Sequence, residues 1–134
     1  MKKRVLIVDD DESIRKLALR ILSDTYDCDT AVDALDAYSK IWDAIDEDNP
    51  YDVITLDEIM PDIDGISLLR ILKINEAHMA SQKDKPLKFI IISGSVTTKY
   101  LRKMYKAVME NRCVYIKKPF NKALLLETID NLTL

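Results

Sequence analysis

The sequence predicts an α/β fold, a doubly wound, five-stranded parallel sheet with helices on both faces, and two observations predict it. Five short, apolar, β-branched runs recur along the 134 residues, at Arg4–Val8, 28–31, 53–56, 89–92 and 114–116. A stretch with helical periodicity follows each of them. Strands that alternate with helices pair in parallel, because parallel neighbours need a crossover, and right-handed crossovers place helices on the sheet's faces.

Each helix is argued from its apolar stripe. Ile14, Leu17, Ala18, Ile21 and Leu22 share one face of the first, and Leu35, Tyr38, Ile41, Trp42 and Ile45 one face of the second. The third begins near Gly65 and carries Ile66, Leu69 and Leu72 inward. Leu101, Met104, Tyr105 and Val108 mark a fourth, and Leu124, Leu125 and Ile129 a fifth. Between the third helix and the fourth strand, Ser, Gln, Lys, Asp and Pro cluster over residues 78–88, which reads as a surface loop carrying the lone His78 in solvent.

Composition bounds the function. A chain of 134 residues suits one domain, 1–134, and 48% apolar with 32% charged residues describes a folded globular protein. A net charge of -3 with scattered basic residues leaves no footprint for direct nucleic-acid binding or an anionic membrane surface. The apolar runs are far shorter than a membrane span, and Met-Lys-Lys-Arg leads straight into a strand, so the expected location is cytoplasmic. Cys28 and Cys113 show neither a CxxC nor a Cys/His spacing, so both are expected free, with no zinc site.

In open parallel sheets, ligands bind outside the carboxyl ends of the strands. Here those ends are polar: Asp9, Asp10 and Asp11 after the first strand, Asp57 and Glu58 after the third, Ser93, Gly94 and Ser95 after the fourth, Lys117, Lys118 and Pro119 after the fifth. Taken singly, Asp11 or Ser13 caps a helix and the lysines are solvated. Jointly, two converging acidic ends repel unless a cation sits between them, and oxygen-only donors suit Mg2+ or Mn2+. Phosphoryl transfer needs little beyond positioning and charge neutralisation, and a carboxylate such as Asp57 can be its nucleophile.

These motifs resemble the receiver domain of response regulators in two-component signalling, over essentially the whole chain. Val8-Asp9-Asp10 is similar to the family's acidic pair, and Asp57-Glu58-Ile59-Met60-Pro61 with Asp64-Gly65 to its phosphoacceptor motif. Ser93-Gly94 and Lys118-Pro119-Phe120 are similar to its hydroxyl-plus-small pair and its Lys-Pro-Phe ending. The resemblance implies a flavodoxin-like sheet of order 2-1-3-4-5, which sets Cys28 and Cys113 near opposite edges. It implies a signalling phosphoacceptor and no enzyme acting on other substrates.

By the same resemblance, Asp57 accepts the phosphoryl group. Asp10, Asp57 and the Ile59 carbonyl ligate the metal, and Asp9 acts on it through water. Lys118 and Ser93 bind phosphoryl oxygens, Ser93 and Tyr115 form the switch, and the Lys118-Pro119 bond is cis. Lys117, one residue from Lys118, should point to the other face of its strand. Ile59 departs from the family pattern in being apolar and β-branched, and the loop 78–88 is longer than usual. The implied partners are a sensor histidine kinase or phosphotransfer protein, an unidentified output partner at the fourth helix, fifth strand and fifth helix, and a phosphorylation-dependent second copy.

Three rival readings are weaker. Asp9-Asp10-Asp11-Glu12-Ser13 imitates the nucleophile loop of a haloacid-dehalogenase-like phosphatase, with Asp9 as its nucleophile, but that reading leaves the Asp57 motif without a role. An FMN carrier needs a loop of backbone donors where three aspartates stand. A pseudo-receiver that only binds partners would not need the acidic, hydroxyl and lysine set.

Overall fold

The computed structural model describes residues 2–58, 65–74, 87–93 and 113–134, of which residues 65, 66, 73 and 74 are described by backbone alone. Five strands, β1 (Arg4–Val8), β2 (Asp27–Ala31), β3 (Val53–Asp57), β4 (Lys88–Ser93) and β5 (Cys113–Lys117), form one parallel sheet in the order β2-β1-β3-β4-β5. Among the described residues, four helices lie between or after them: α1 (Glu12–Leu22), α2 (Ala34–Asp46), α3 (Gly65–Ile74) and α4 (Lys122–Leu132). The fourth apolar stripe, 101–108, and all but the last two residues of the loop 78–88 fall outside the described residues.

The central strands are continuous apolar runs because both of their faces are covered. Alternation sends Val5, Ile7, Val53, Ile90 and Ile92 to one layer, where Ala18 and Leu22 of α1 and Leu125 and Ile129 of α4 meet them. Leu6, Val8, Ile54, Leu56, Phe89 and Ile91 face the other layer, against Ala37 and Ile41 of α2 and Leu69 and Leu72 of α3. At about 25 cal/mol per Å2 of apolar surface, these two layers supply the main stabilisation of the sheet. No helix among the described residues is long and apolar enough to cross a membrane.

The edges explain where the apolar stripes fail. β2 is an edge strand, so Asp27 opens it, exposed, one residue before the predicted start. Leu17, Leu35 and Leu124, counted on inward faces, are 39%, 60% and 42% exposed. Small residues take the neighbouring inward positions: Ala18 on α1, and Ala34, Ala37 and Ala44 on α2. Cys28 and Cys113 lie on the two edge strands and are both free.

At the amino end of the sheet, Arg4 ties β1 to β2 and to the segment that leads into β3. Its guanidinium pairs with Asp29 at 2.8 Å and with Asp27 at 3.4 Å, and lies 4.4 Å from the centre of the Tyr51 ring. The Tyr51 hydroxyl donates to the same Asp29 carboxylate at 2.7 Å, and the Arg4 amide donates to Asp52 at 2.8 Å. All of this sits at the edge opposite the polar strand ends, and leaves those ends clear.

Candidate functional site

β1 delivers the acidic pair. The Asp9 amide donates to the Ala31 carbonyl at 3.2 Å, which prolongs the β1–β2 ladder by one bond, and the Asp9 carboxylate accepts the Asp11 amide at 2.9 Å. Asp11 turns away to cap α1: its carboxylate accepts from the Ser13 amide at 2.9 Å and the Ser13 hydroxyl at 2.6 Å. The Ser13 hydrogen bonds hold its pKa below the usual carboxylate value. Of three consecutive aspartates, two therefore face the site and the third starts a helix.

Asp57, the last residue of β3, stands opposite Ile92 of β4. Asp9, Asp10 and Asp57 each place a carboxylate oxygen within 4.8 Å of the others, with Asp9 and Asp57 buried and Asp10 exposed. Two unit charges at that separation repel by about 3.5 kcal/mol at an effective dielectric constant of about 20. One cation already answers part of this: Lys118 Nζ donates to Asp9 Oδ2 at 3.0 Å and to Asp57 Oδ1 at 3.4 Å.

The lysine arrives there because the Lys118 amide donates to the Ser93 carbonyl at 2.7 Å, which joins the end of β5 to the end of β4. The Lys118-Pro119 peptide is cis, as expected. Lys117, on the opposite face of the strand, is exposed. Burial would lower the Lys118 pKa, but the hydrogen bond that Lys118 donates to Asp9 and the charges of Asp57 and Asp9 outweigh it and raise the pKa, so the group is an ammonium at neutral pH. Three carboxylates against one ammonium leave an excess of negative charge on oxygen donors only, and that donor set fits a hard divalent cation such as Mg2+.

Ser93 is buried at the end of β4, beside Lys117 in register. Tyr115 lies opposite Ile91, two residues from Ser93 on the neighbouring strand, with its ring against the α2/α3 layer and its hydroxyl buried. Asp9, Asp10, Asp57, Lys118 and Ser93 thus meet at one end of the sheet, with Tyr115 behind them. Ile59, Gly94 and residues 60–64 lie outside the described residues.

Sequence reasoning missed Arg15, whose guanidinium Nη1 donates to the Asp9 carbonyl at 2.7 Å from the second turn of α1. The one signal available was a long cation beside the inward positions Ile14 and Ala18, six residues after the acidic pair begins. On the lysine side, Ile14, Leu17, Pro119 and Phe120 line an apolar groove of about 290 Å3 next to Lys118.

The comparisons with known proteins agree with this geometry. The response regulator receiver domain family matches residues 5–130. The chain is 36% identical over 128 residues to the chemotaxis protein CheY of Treponema pallidum, covering 94% of this chain and 79% of that one. Among solved structures, the chemotaxis protein CheY4 of Vibrio cholerae superposes with a TM-score of 0.78 at 27% identity, covering 98% of this chain and 99% of that one. The response regulator TrrA of Thermotoga maritima, in complex with Mg2+-BeF, gives 0.72 at 27% identity, covering 97% and 98%. Some relatives are much longer, and the match to the transcription factor SKN7 of Chaetomium thermophilum spans only 10% of that protein. No observation favours the phosphatase reading of Asp9. With its sheet order, its acidic pocket and a family match over nearly its whole length, this chain belongs to the response regulator receiver domains of two-component signalling.

Proposed function

We propose that Asp57 takes up a phosphoryl group from the phosphohistidine of a sensor kinase or a phosphotransfer protein, and that the modification changes a partner-binding face. The observation that carries this reading is the convergence of Asp57, Asp9, Asp10 and Lys118 at the carboxyl end of the sheet. In the step itself, a carboxylate oxygen of Asp57 bonds to phosphorus while the bond to the donor nitrogen breaks, leaving an aspartyl phosphate. Lys118 keeps its bond to Asp9 and transfers its second bond from Asp57 to a phosphoryl oxygen, and the Ser93 hydroxyl donates to another.

Asp10, Asp57 and the Ile59 carbonyl would hold Mg2+ or Mn2+, with Asp9 acting through water. The cation would supply neutralisation of the charge gathering on the phosphoryl oxygens. The solved Mg2+-BeF complex of TrrA supports a cation at such a site. Beyond its own phosphorylation and dephosphorylation, the chain needs no enzymatic activity. Ser93 and Tyr115 are the pair through which the modification would reach an output partner or a second copy of the chain.

The test is mass spectrometry after incubation with Mg2+ and a small acyl phosphate, with the modified residue located by peptide mapping. A phosphoryl mass on Asp57 that requires Mg2+ is the expected result. Mass on Asp9 instead, or none on the folded chain, would overturn the reading. Mg2+ should also raise the melting temperature by binding the folded cluster preferentially, and Asp10→Ala should remove most of that gain.

A further inference from the structure

We infer that Arg15 is a positioning residue for the acidic site: by gripping the Asp9 carbonyl it fixes the peptide plane joining Asp9 to Asp10, and so sets how tightly a divalent cation is held. The inference rests on the reading of the site given above.

The ladders that β1 makes with β2 and β3 are in register only as far as Val8, opposite Ala31 and Leu56. The Asp9 carbonyl lies one residue beyond them, in a chain turning toward α1, and a carbonyl in such a place needs a donor from elsewhere. Arg15 supplies it at 2.7 Å, a distance typical of a charge-assisted bond.

The consequence follows from covalent geometry. The Asp9 carbonyl oxygen shares a plane with the Asp10 nitrogen and with both α-carbons. A bond that holds this oxygen therefore orients the direction in which each acidic side chain leaves the backbone. The other ties on Asp9 hold different atoms: Ala31 holds its amide, and Asp11 and Lys118 hold its carboxylate. Among these ties, the Arg15 bond is the one made to the peptide group that links Asp9 to Asp10, whose carboxylate is the exposed one of the three.

Position and charge predict opposite outcomes when Arg15 is replaced. Removing a positive charge near three carboxylates, taken alone, strengthens the binding of a cation. Releasing the peptide plane weakens it, and outer partners of metal ligands typically contribute roughly 10- to 100-fold in affinity. The sign of the change therefore separates the two roles.

The experiment is calorimetric titration of Mg2+ into the wild type, Arg15→Met and Arg15→Lys. Arg15→Met, which keeps an unbranched apolar stem without a donor, is expected to raise the Mg2+ dissociation constant roughly tenfold. Arg15→Lys, which keeps one charged donor, is expected to recover most of that loss. At saturating Mg2+, phosphorylation of Arg15→Met by a small acyl phosphate should return to the wild-type rate, a recovery that a merely unstable variant would not show. If Arg15→Met does not fold, Arg15→Gln carries the same test, being too short to reach the carbonyl. Binding of Mg2+ by either folded variant as tightly as by the wild type, or more tightly, overturns the inference and leaves the site reading intact. A wild type that does not bind Mg2+ removes both.

Discussion

The Lys118 ammonium stands 3.4 Å from the Asp57 carboxylate although 61 residues separate them, and it reaches Asp9 at 3.0 Å in the same position. It is the counter-charge on which two buried carboxylates depend. Lys118→Met should therefore destabilise the metal-free chain by roughly 2 kcal/mol. That is less than the full cost of breaking a wholly buried pair, because the lysine side chain keeps 20% of its exposure. Urea unfolding in chelator measures this, and added Mg2+ should restore part of the loss in the variant. An unchanged unfolding midpoint would show that the ammonium does not neutralise the pocket.

Asp57→Asn is the complementary change. The amide is nearly isosteric and a poor nucleophile, so phosphoryl incorporation should cease while the fold persists. With one carboxylate fewer inside 4.8 Å, stability in chelator should rise, on the order of 1 kcal/mol. Incorporation at the wild-type rate would remove Asp57 from its role.

Much of this was legible in the sequence because a parallel α/β sheet gathers the carboxyl ends of its strands. The positions of Asp9, Asp10, Asp57, Ser93 and Lys118 at strand ends are enough to bring them together. Helical phase was less informative. Leu17, Leu35 and Leu124 sit on the apolar stripes yet remain 39%, 60% and 42% exposed, since alanines take the contact with the sheet on α1 and α2, and Leu125 and Ile129 take it on α4. Arg15 was barely legible, because its acceptor is the Asp9 carbonyl, a backbone atom that every residue carries.

The edge cysteine gives a pH dependence with a definite sign. Burial pushes the Cys113 thiol up from 9.0 to about 12. Because the folded state holds this proton more tightly, the stabilisation is full below pH 9.0 and declines as pH rises toward about 12. Between pH 8 and pH 11 the wild type should thus lose more stability than Cys113→Ala, as read from urea midpoints at both values. Cys28 and Tyr26, also raised in pKa, titrate in both proteins and cancel in the comparison. Parallel pH profiles for the two proteins would rule the assignment out.

The end of α2 offers a backbone test. Asp48 has φ of 56°, and the amides of Asp48 and Asn49 donate to the Ile45 and Ala44 carbonyls at 3.0 and 2.8 Å, which closes the helix in a Schellman motif. This position favours glycine and tolerates aspartate. Asp48→Val should cost about 1 kcal/mol, because valine adds a branch at the β-carbon and lacks the short polar side chain that tolerates the left-handed region. Asp48→Gly should leave stability unchanged or slightly higher. Equal stability of the two variants in thermal melts would show that the turn is not held in that conformation.

The last expectation concerns output through Ser93 and Tyr115. Phosphorylation can reach a partner only by biasing an element with two arrangements. On β4, Ser93 continues the face of Phe89 and Ile91, and on β5 Tyr115 lies opposite Ile91, so the two side chains occupy the same face of neighbouring strands, one diagonal step apart. The Tyr115 hydroxyl is buried, unlike that of an edge tyrosine whose ring packs and whose tip stays wet. A Ser93 hydroxyl drawn toward a phosphoryl oxygen would alter the space this ring occupies, and the ring in turn shapes the outer surface of β5. Tyr115→Ala should accordingly leave Asp57 phosphorylation nearly unchanged, because its ring packs against the α2/α3 layer and carries no group that the transfer uses. The same change should shrink the phosphorylation-dependent gain in partner affinity or self-association, for which a coupling of roughly 1–3 kcal/mol is typical. Calorimetry on phosphorylated and unphosphorylated protein measures that gain directly. A gain of the same size in Tyr115→Ala and wild type would end the switch role of this pair and leave the phosphoacceptor untouched.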